Sequence, residues 1–337
     1  MKNFYAFFRG KNYNTFMQII EAIPNFSEGK NLPLVSQIAK EAVAGSRARI
    51  LHLDSNPDAN RTVLTLAGEP EEVVKACLAL FASCQKHLDM RTQHGAHPRL
   101  GSVDVCPLVP ITNITLEETA LWADMLARQV GSKLNIPVYL YEKNASSPLR
   151  KNLAFIRQGE YESLPAKLPA LPPDYGPAVY SPEISRTGAS VIGARNFLIA
   201  FNISLNTQEV SLAKEIAAVL REKNGGLPAV KAIGWLMPEY HAAQVSFNLT
   251  DFRTTGLAQV WQACSLEARK RELTATAGEL IGLAPQEAFL QAGKFYAPQE
   301  TDSSRLIRLA VEKLSLNKIR PFVAEERILE NKLSELL

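Results

Sequence analysis

The stretch RILHLDSNPDANRTVLTLA, residues 49–67, holds two strand-like runs, 49–53 and 61–67, around a connection in which every residue but Ala59 is polar or turn-favouring. Runs rich in Leu, Ile, Val and Thr that break on Asp, Ser, Asn and Pro specify two neighbouring strands rather than one helix. Upstream lie a strand over 18–23, a turn-rich loop over 24–29, and a helix whose Leu34, Val35, Ile38 and Ala42 share one face, with Gly45 placed to end it. Downstream come a helix from Pro70 to about Leu88 and a strand through Val103 and Val105. The order is βαββαβ, the ferredoxin-like unit.

Thr115 with Glu118 makes a capping box for a further helix ending near Leu134, and a strand over 138–141 follows. Residues 165–182 hold six prolines, so this segment reads as an irregular connection and is the candidate boundary. Beyond it the pattern returns: strand 197–205, helix 207–223, strands 230–236 and 244–249, helix 257–271, strand 280–283. The expected fold class is α/β (α+β) with two ferredoxin-like subdomains, 17–193 and 194–297, each with its own sheet. Residues 298–337 read as a tail of two amphipathic helices, and 1–16 as a disordered extension upstream of Met17.

The chain has 337 residues, 46% hydrophobic and 21% charged, enough to bury substantial cores. A net charge of +3 without any basic run excludes a nucleic-acid footprint. No apolar run approaches the roughly 18 residues of a membrane span, and the N-terminus lacks the pattern of a signal peptide. Cys77, Cys84, Cys106 and Cys264 form no CxxC pair, which predicts free thiols in a reducing, cytoplasmic setting.

Cys84, His87, His94 and His97 offer zinc-ligand types. Cys77 and Cys84 sit seven residues apart on one helix face, however, as core thiols do, and the expectation is no metal. His97 differs, because Pro98 stiffens its loop and Arg99 follows it, with Asp104 in the next strand. Asp54 closes one strand and Asn60-Arg61 opens the next, placing a carboxylate, an amide and a guanidinium at one sheet rim. Turn chemistry accounts equally for that loop. Neither a GxSxG elbow, a phosphate-binding GxxxxGK[ST] loop nor HExxH occurs.

At Ile23-Pro-Asn-Phe-Ser-Glu-Gly-Lys30, Asn60-Arg-Thr62, His97-Pro-Arg-Leu-Gly-Ser-Val-Asp-Val-Cys-Pro107, Pro137-Val-Tyr139, Gly159-Glu-Tyr161 and Gly193-Ala-Arg-Asn-Phe-Leu-Ile-Ala-Phe-Asn202 the sequence resembles the glutamate formimidoyltransferase family over residues 17–292. Leu100 and Ser102 stand where the family pattern has Met and Ala. The resemblance implies transfer of a formimidoyl group from N-formimidoyl-L-glutamate to N5 of the co-substrate tetrahydrofolate, in histidine breakdown, in a groove between two subdomains. It implies catalytic roles for His97 and Asp54, and folate contacts in residues 176–188, at Gly176, Pro177, Tyr180 and Gly188. Asn60, Arg61, Arg99 and Arg195 are the candidates for substrate binding, the arginines through bidentate pairing with carboxylates. Formyl transfer to the same acceptor, and a folate-binding regulator without turnover, are the alternatives. A homodimer is expected. The tail is too short for a cyclodeaminase domain, which predicts that a separate protein performs that step.

Overall fold

The computed structural model describes residues 17–334, so the expectation for residues 1–16 lies outside the described residues. The chain divides into two compact units between Asn196 and Phe197.

In the first unit β1 (Ile19–Ala22) and β2 (Asn25–Phe26) are one strand path broken at Ile23-Pro24, and α1 (Leu32–Val43) follows. Then come β3 (Arg49–Asn56), β4 (Arg61–Gly68), α2 (Pro70–His87), β5 (Val103–Thr112), α3 (Leu116–Leu134) and β6 (Val138–Leu140). Three short helices, α4 (Leu153–Arg157), α5 (Leu164–Ala170) and α6 (Pro182–Thr187), lead to β7 (Ser190–Ala194). The seven-stranded sheet runs β3, β4, β1/β2, β5, β7, β6; β1 and β2 pair antiparallel with β4 and β5, while β5–β7 and β7–β6 are parallel.

Helices α1–α3 cover one sheet face, where Ile20, Phe26, Leu64, Leu66 and Leu108 meet Ile38, Leu80, Phe81 and Leu126. Each such side chain contributes roughly 1.5–3 kcal/mol on burial. Thr115 caps α3 in a reciprocal box with Glu118, and Asn31 caps α1. The other face carries a smaller cluster of Val105, Tyr139 and Val191 with Leu100, Ile156 and Leu164, and it is on this side that the candidate site is built.

Two expectations need correction. Residues 165–182 are not the boundary but part of the first unit, where the segment is pinned to the edge strand β6: Asp174 Oδ2 accepts from Leu140 N at 2.8 Å, and Val138 N donates to Tyr175 O at 2.9 Å. Nor is the segment without helix, since α5 takes Pro165 in its first turn, where the missing N–H costs nothing, and holds Pro169 as well. Strand β7 was not expected, and with β6 it enlarges the first sheet beyond a four-stranded unit.

The second unit contains β8 (Ile199–Leu205), α7 (Val210–Leu220), β9 (Val230–Met237), β10 (Ala242–Leu249), α8 (Leu257–Arg269) and β11 (Ala275–Ile281), in the expected βαββαβ order. Its antiparallel sheet runs β11, β8, β10, β9. Alternate residues Ile199, Phe201, Ile203, Val245, Phe247 and Leu249 face the core. Next come α9 (Gln286–Tyr296), α10 (Ser303–Lys313), α11 (Ala324–Arg327) and α12 (Leu329–Ser334). Ile307, Ala310, Leu314 and Ile328 join the same core, so residues 298–334 are part of this unit's body.

Candidate active site

The Asn25↔Val105 and Phe26↔Val103 pairs leave Asp104 as an extra residue in β5, a bulge of the kind that re-aims a side chain. Asp104 is fully buried, and its carboxylate is saturated. Oδ1 accepts from Leu100 N at 2.9 Å and Arg157 Nε at 3.1 Å; Oδ2 accepts from Arg61 Nη1 at 2.7 Å and from Arg157 Nη2. Burial would raise its pKa, but Arg157 and Arg61 overrule that and hold it below the usual carboxylate range. Arg61 also donates from Nε to Asn25 Oδ1 at 3.1 Å. Burial pulls Arg61 down to about 10 against the resistance of Asp104, so it stays cationic at neutral pH.

His97 is partly buried beside this cluster. Its Nδ1 lies 2.7 Å from Pro98 O, and since a carbonyl only accepts, Nδ1 carries the proton and a neutral ring keeps its lone pair on Nε2. Burial, then the charges of Arg61 and Arg157, push the imidazole pKa well below its ordinary value, with Asp104 and the Pro98 carbonyl opposing. The ring is therefore a neutral base at pH 7. The loop before it lies on the β3–β4 connection: Ala96 N donates to Asp58 O at 2.9 Å, and a Cβ on Gly95 would lie 2.1 Å from Ala59 O.

Asp54 is buried on β3. Its partner across the ladder is Val63, whose partner is Asn25, so Asp54 shares a sheet face with Asn25, two strands away. Its Oδ2 is 3.8 Å from His52 Nε2. Asp104 is a carboxylate that steadies a proton on His97.

Asn60, at φ 45°, ties loops together: Oδ1 accepts from Gly29 N at 3.1 Å and Nδ2 donates to Gln93 Oε1 at 2.6 Å. Gln93 in turn reaches Glu28 Oε2 at 3.3 Å, while Glu28 Oε1 accepts from Lys30 N and Asn31 N at the start of α1. Arg99 is engaged by the protein, donating to Glu160, to Glu162 at 2.7 Å and to Gln93 O, and lying over the Tyr161 ring. Arg195, after β7, donates from Nη1 to Asn196 O at 2.9 Å and acts on buried Tyr141, whose hydroxyl burial pushes up to about 12.

The 176–188 segment is built by close backbone approach. Gly176, at φ 80°, sits against Ile136 O, and Pro177 beside it is partly buried. Gly188, at φ 70°, bridges to Gly101. Tyr180 lies against Tyr161, within the Val105–Tyr139 cluster. The zinc-ligand types separate: His87 pairs with Glu41 at 3.2 Å, Cys84 is buried in the α2 core, and His94 is exposed. Among the described residues no group of three or more His, Cys, Asp or Glu is disposed to hold a metal ion, and no helix is long and apolar enough to cross a membrane.

Sequence reading did not single out Arg157, because 53 residues separate it from Asp104 and no local spacing joins them. It also missed a buried polar cluster in the second unit. There Glu279 accepts from Tyr240 Oη at 3.0 Å and Asn202 Nδ2 at 3.3 Å, and Gln244 Nε2 donates to Ser204 Oγ at 3.0 Å.

Two family models match: the N-terminal subdomain of the formiminotransferase domain over residues 19–195, and the formiminotransferase domain over 200–334. The formimidoyltransferase-cyclodeaminase of Sus scrofa is 40% identical over 326 residues, 93% of this chain and 59% of that protein. The chain thus spans less than two thirds of that relative. Glutamate formimidoyltransferases of Streptococcus pyogenes serotype M1 and Thermoplasma acidophilum are each 36% identical, over 84% and 83% of this chain and 94% and 92% of theirs.

Proposed function

Since the chain belongs to the formiminotransferase domain family, we propose that it transfers the formimidoyl group of N-formimidoyl-L-glutamate to N5 of tetrahydrofolate, releasing L-glutamate. The observation that carries this reading is His97, an imidazole held neutral with its proton on Nδ1, in the field of two guanidiniums and one carboxylate.

N5 attacks the formimidoyl carbon, making a tetrahedral species; N5 must then lose a proton and the glutamate nitrogen must gain one before the C–N bond to glutamate breaks. A base held neutral at pH 7 takes the first proton and returns it to the leaving nitrogen. The amidine of the donor is cationic, and Asp54 is the carboxylate we assign to it. Tetrahydrofolate is a co-substrate, for which Gly176, Pro177, Tyr180 and Gly188 mark the proposed contact segment. We further propose a cytoplasmic homodimer; the four free, buried thiols fit a reducing compartment.

The test is to mix purified protein with tetrahydrofolate and either N-formimidoyl- or N-formyl-L-glutamate, and to follow the folate product by absorbance. Turnover of the formimidoyl donor is expected. Turnover of the formyl donor alone, or of neither, would overturn the reading.

A further inference from the structure

Two guanidiniums are anchored on one carboxylate, which leaves one net positive charge in a nearly dry place: the side chains of Arg61 and Arg157 are 9% and 14% exposed, and that of Asp104 not at all. The anchors do not use every donor. Arg61 engages Nε and Nη1, and Arg157 engages Nε and Nη2. Among the described residues, Arg61 Nη2 and Arg157 Nη1 have no acceptor, and neither is one of the partnerless side-chain atoms sealed from solvent. The backbone N–H of Leu100, three residues after His97, is held by the same carboxylate at 2.9 Å, so the imidazole's loop and the guanidiniums form one assembly.

We propose that Arg61 Nη2 and Arg157 Nη1 are the seat of the donor's α-carboxylate, with Asp104 as the positioning residue that aims both guanidiniums. The proposal rests on the reading of this chain as a formimidoyltransferase. A cationic amidine is repelled by a net positive charge, whereas a carboxylate matches the guanidinium fork. Carboxylates come from two sources here, the glutamate donor and the glutamate tail of the folate. In the donor, the α-carboxylate is attached to the carbon that bears the leaving nitrogen, so it must lie within two bonds of the atom that His97 protonates. The folate tail lies a whole aminobenzoyl group away from N5. An anion seat joined to the proton-transferring loop therefore suits the donor.

The experiment compares wild type, Arg157→Gln, Arg157→Lys and Asp104→Asn in steady-state kinetics. Arg157→Gln is expected to raise the donor KM about ten- to a hundredfold and to leave the KM for tetrahydrofolate within about twofold of wild type. N-formimidoyl-4-aminobutanoate, the donor without its α-carboxylate, is expected to show the same rise with wild type and almost no further rise with Arg157→Gln, since the two losses remove one interaction. Loss of the Arg157 charge should also carry the acidic limb of kcat/KM to higher pH, which a merely structural role would not do. Asp104→Asn should share the donor-specific rise in KM but carry the acidic limb the other way, to lower pH, because the Asp104 carboxylate supports a proton on His97.

A rise in the folate KM without one for the donor, or an undiminished preference for the α-carboxylate in Arg157→Gln, would overturn the proposal. If Arg157→Gln does not fold, Arg157→Lys decides, with a smaller donor-specific rise expected. If wild type fails to turn over the donor, the functional reading fails first; calorimetric titration with L-glutamate and 4-aminobutanoate then tests the seat alone, and equal affinity for the two would refute it.

Discussion

Gly188 and Gly101 meet backbone to backbone: a Cβ on Gly188 would stand 2.4 Å from the Gly101 Cα, and one on Gly101 would stand 2.3 Å from Ala189 O. The contact joins the end of α6 to the loop carrying His97 and Arg99, with Ser102 N donating to Thr187 O at 2.7 Å. Gly188 also holds φ at 70°, where a side chain is strained. Gly188→Ala is therefore expected to destabilise the fold by about 2 kcal/mol or more. Urea denaturation reads this out. An unchanged midpoint with only a weakened folate KM would show that this glycine serves the ligand and not the backbone.

Stability should depend on pH through His97. Its folded pKa lies well below 6.5, while the unfolded chain protonates near that value, so over the interval between them the unfolded state binds more protons. The contribution of His97 is then neutral above pH 6.5 and destabilising as pH falls below it, with a slope of at most about 1.4 kcal/mol per pH unit. Thermal melts from pH 8 to pH 5 should show the loss, and His97→Gln should flatten it. Equal slopes in wild type and variant would mean that His97 gains its proton as easily folded as unfolded.

Asn60 joins three loops through two hydrogen bonds, so its substitutions separate the two. Asn60→Asp keeps the acceptor for Gly29 N but removes the donor to Gln93, and it adds a charge near Glu28. Asn60→Ala removes both bonds at a position with φ 45°, and should cost about 1–3 kcal/mol more than a typical surface change. Denaturation midpoints in the order wild type, Asp, Ala are expected. Asn60→Ala as stable as wild type would show that Gly29 and Gln93 hold their loops without it.

Much of this was legible in the sequence because it is local. Strand alternation, the Thr115–Glu118 box and the loop containing His97 are each written within a few neighbouring residues. The proline-rich segment misled because prolines do not bar a short helix: Pro165 falls in the first turn of α5 and Pro169 stands inside it, while the rest of the run gains its order from contacts with β6 that no spacing reveals. Arg157 and the Glu279 cluster were invisible for the same reason, since their partners come from distant strands. Arg99 looked like a substrate ligand beside His97, yet its guanidinium meets Glu162 at 2.7 Å.

The division of labour among the histidines gives the sharpest prediction for the proposed reaction. Removing a general acid or base lowers the rate by about 10² to 10⁴, so His97→Ala should lose that much kcat while folate binding survives. His94, exposed three residues earlier, and His87, paired with Glu41 on α2, are controls expected to turn over nearly normally as alanine variants. Asp54→Asn keeps shape and removes charge. It should lower kcat less than His97→Ala if Asp54 only orients the site, and by a comparable factor if it holds the cationic donor. Two residues acting as one unit are not additive, so the double variant should be little worse than His97→Ala alone. Rates that multiply in the double variant would separate Asp54 from the imidazole, leaving Asp104 as the carboxylate that works with it. Activity retained in His97→Ala but lost in His94→Ala would move the proton transfer to the exposed ring and undo the assignment of the base.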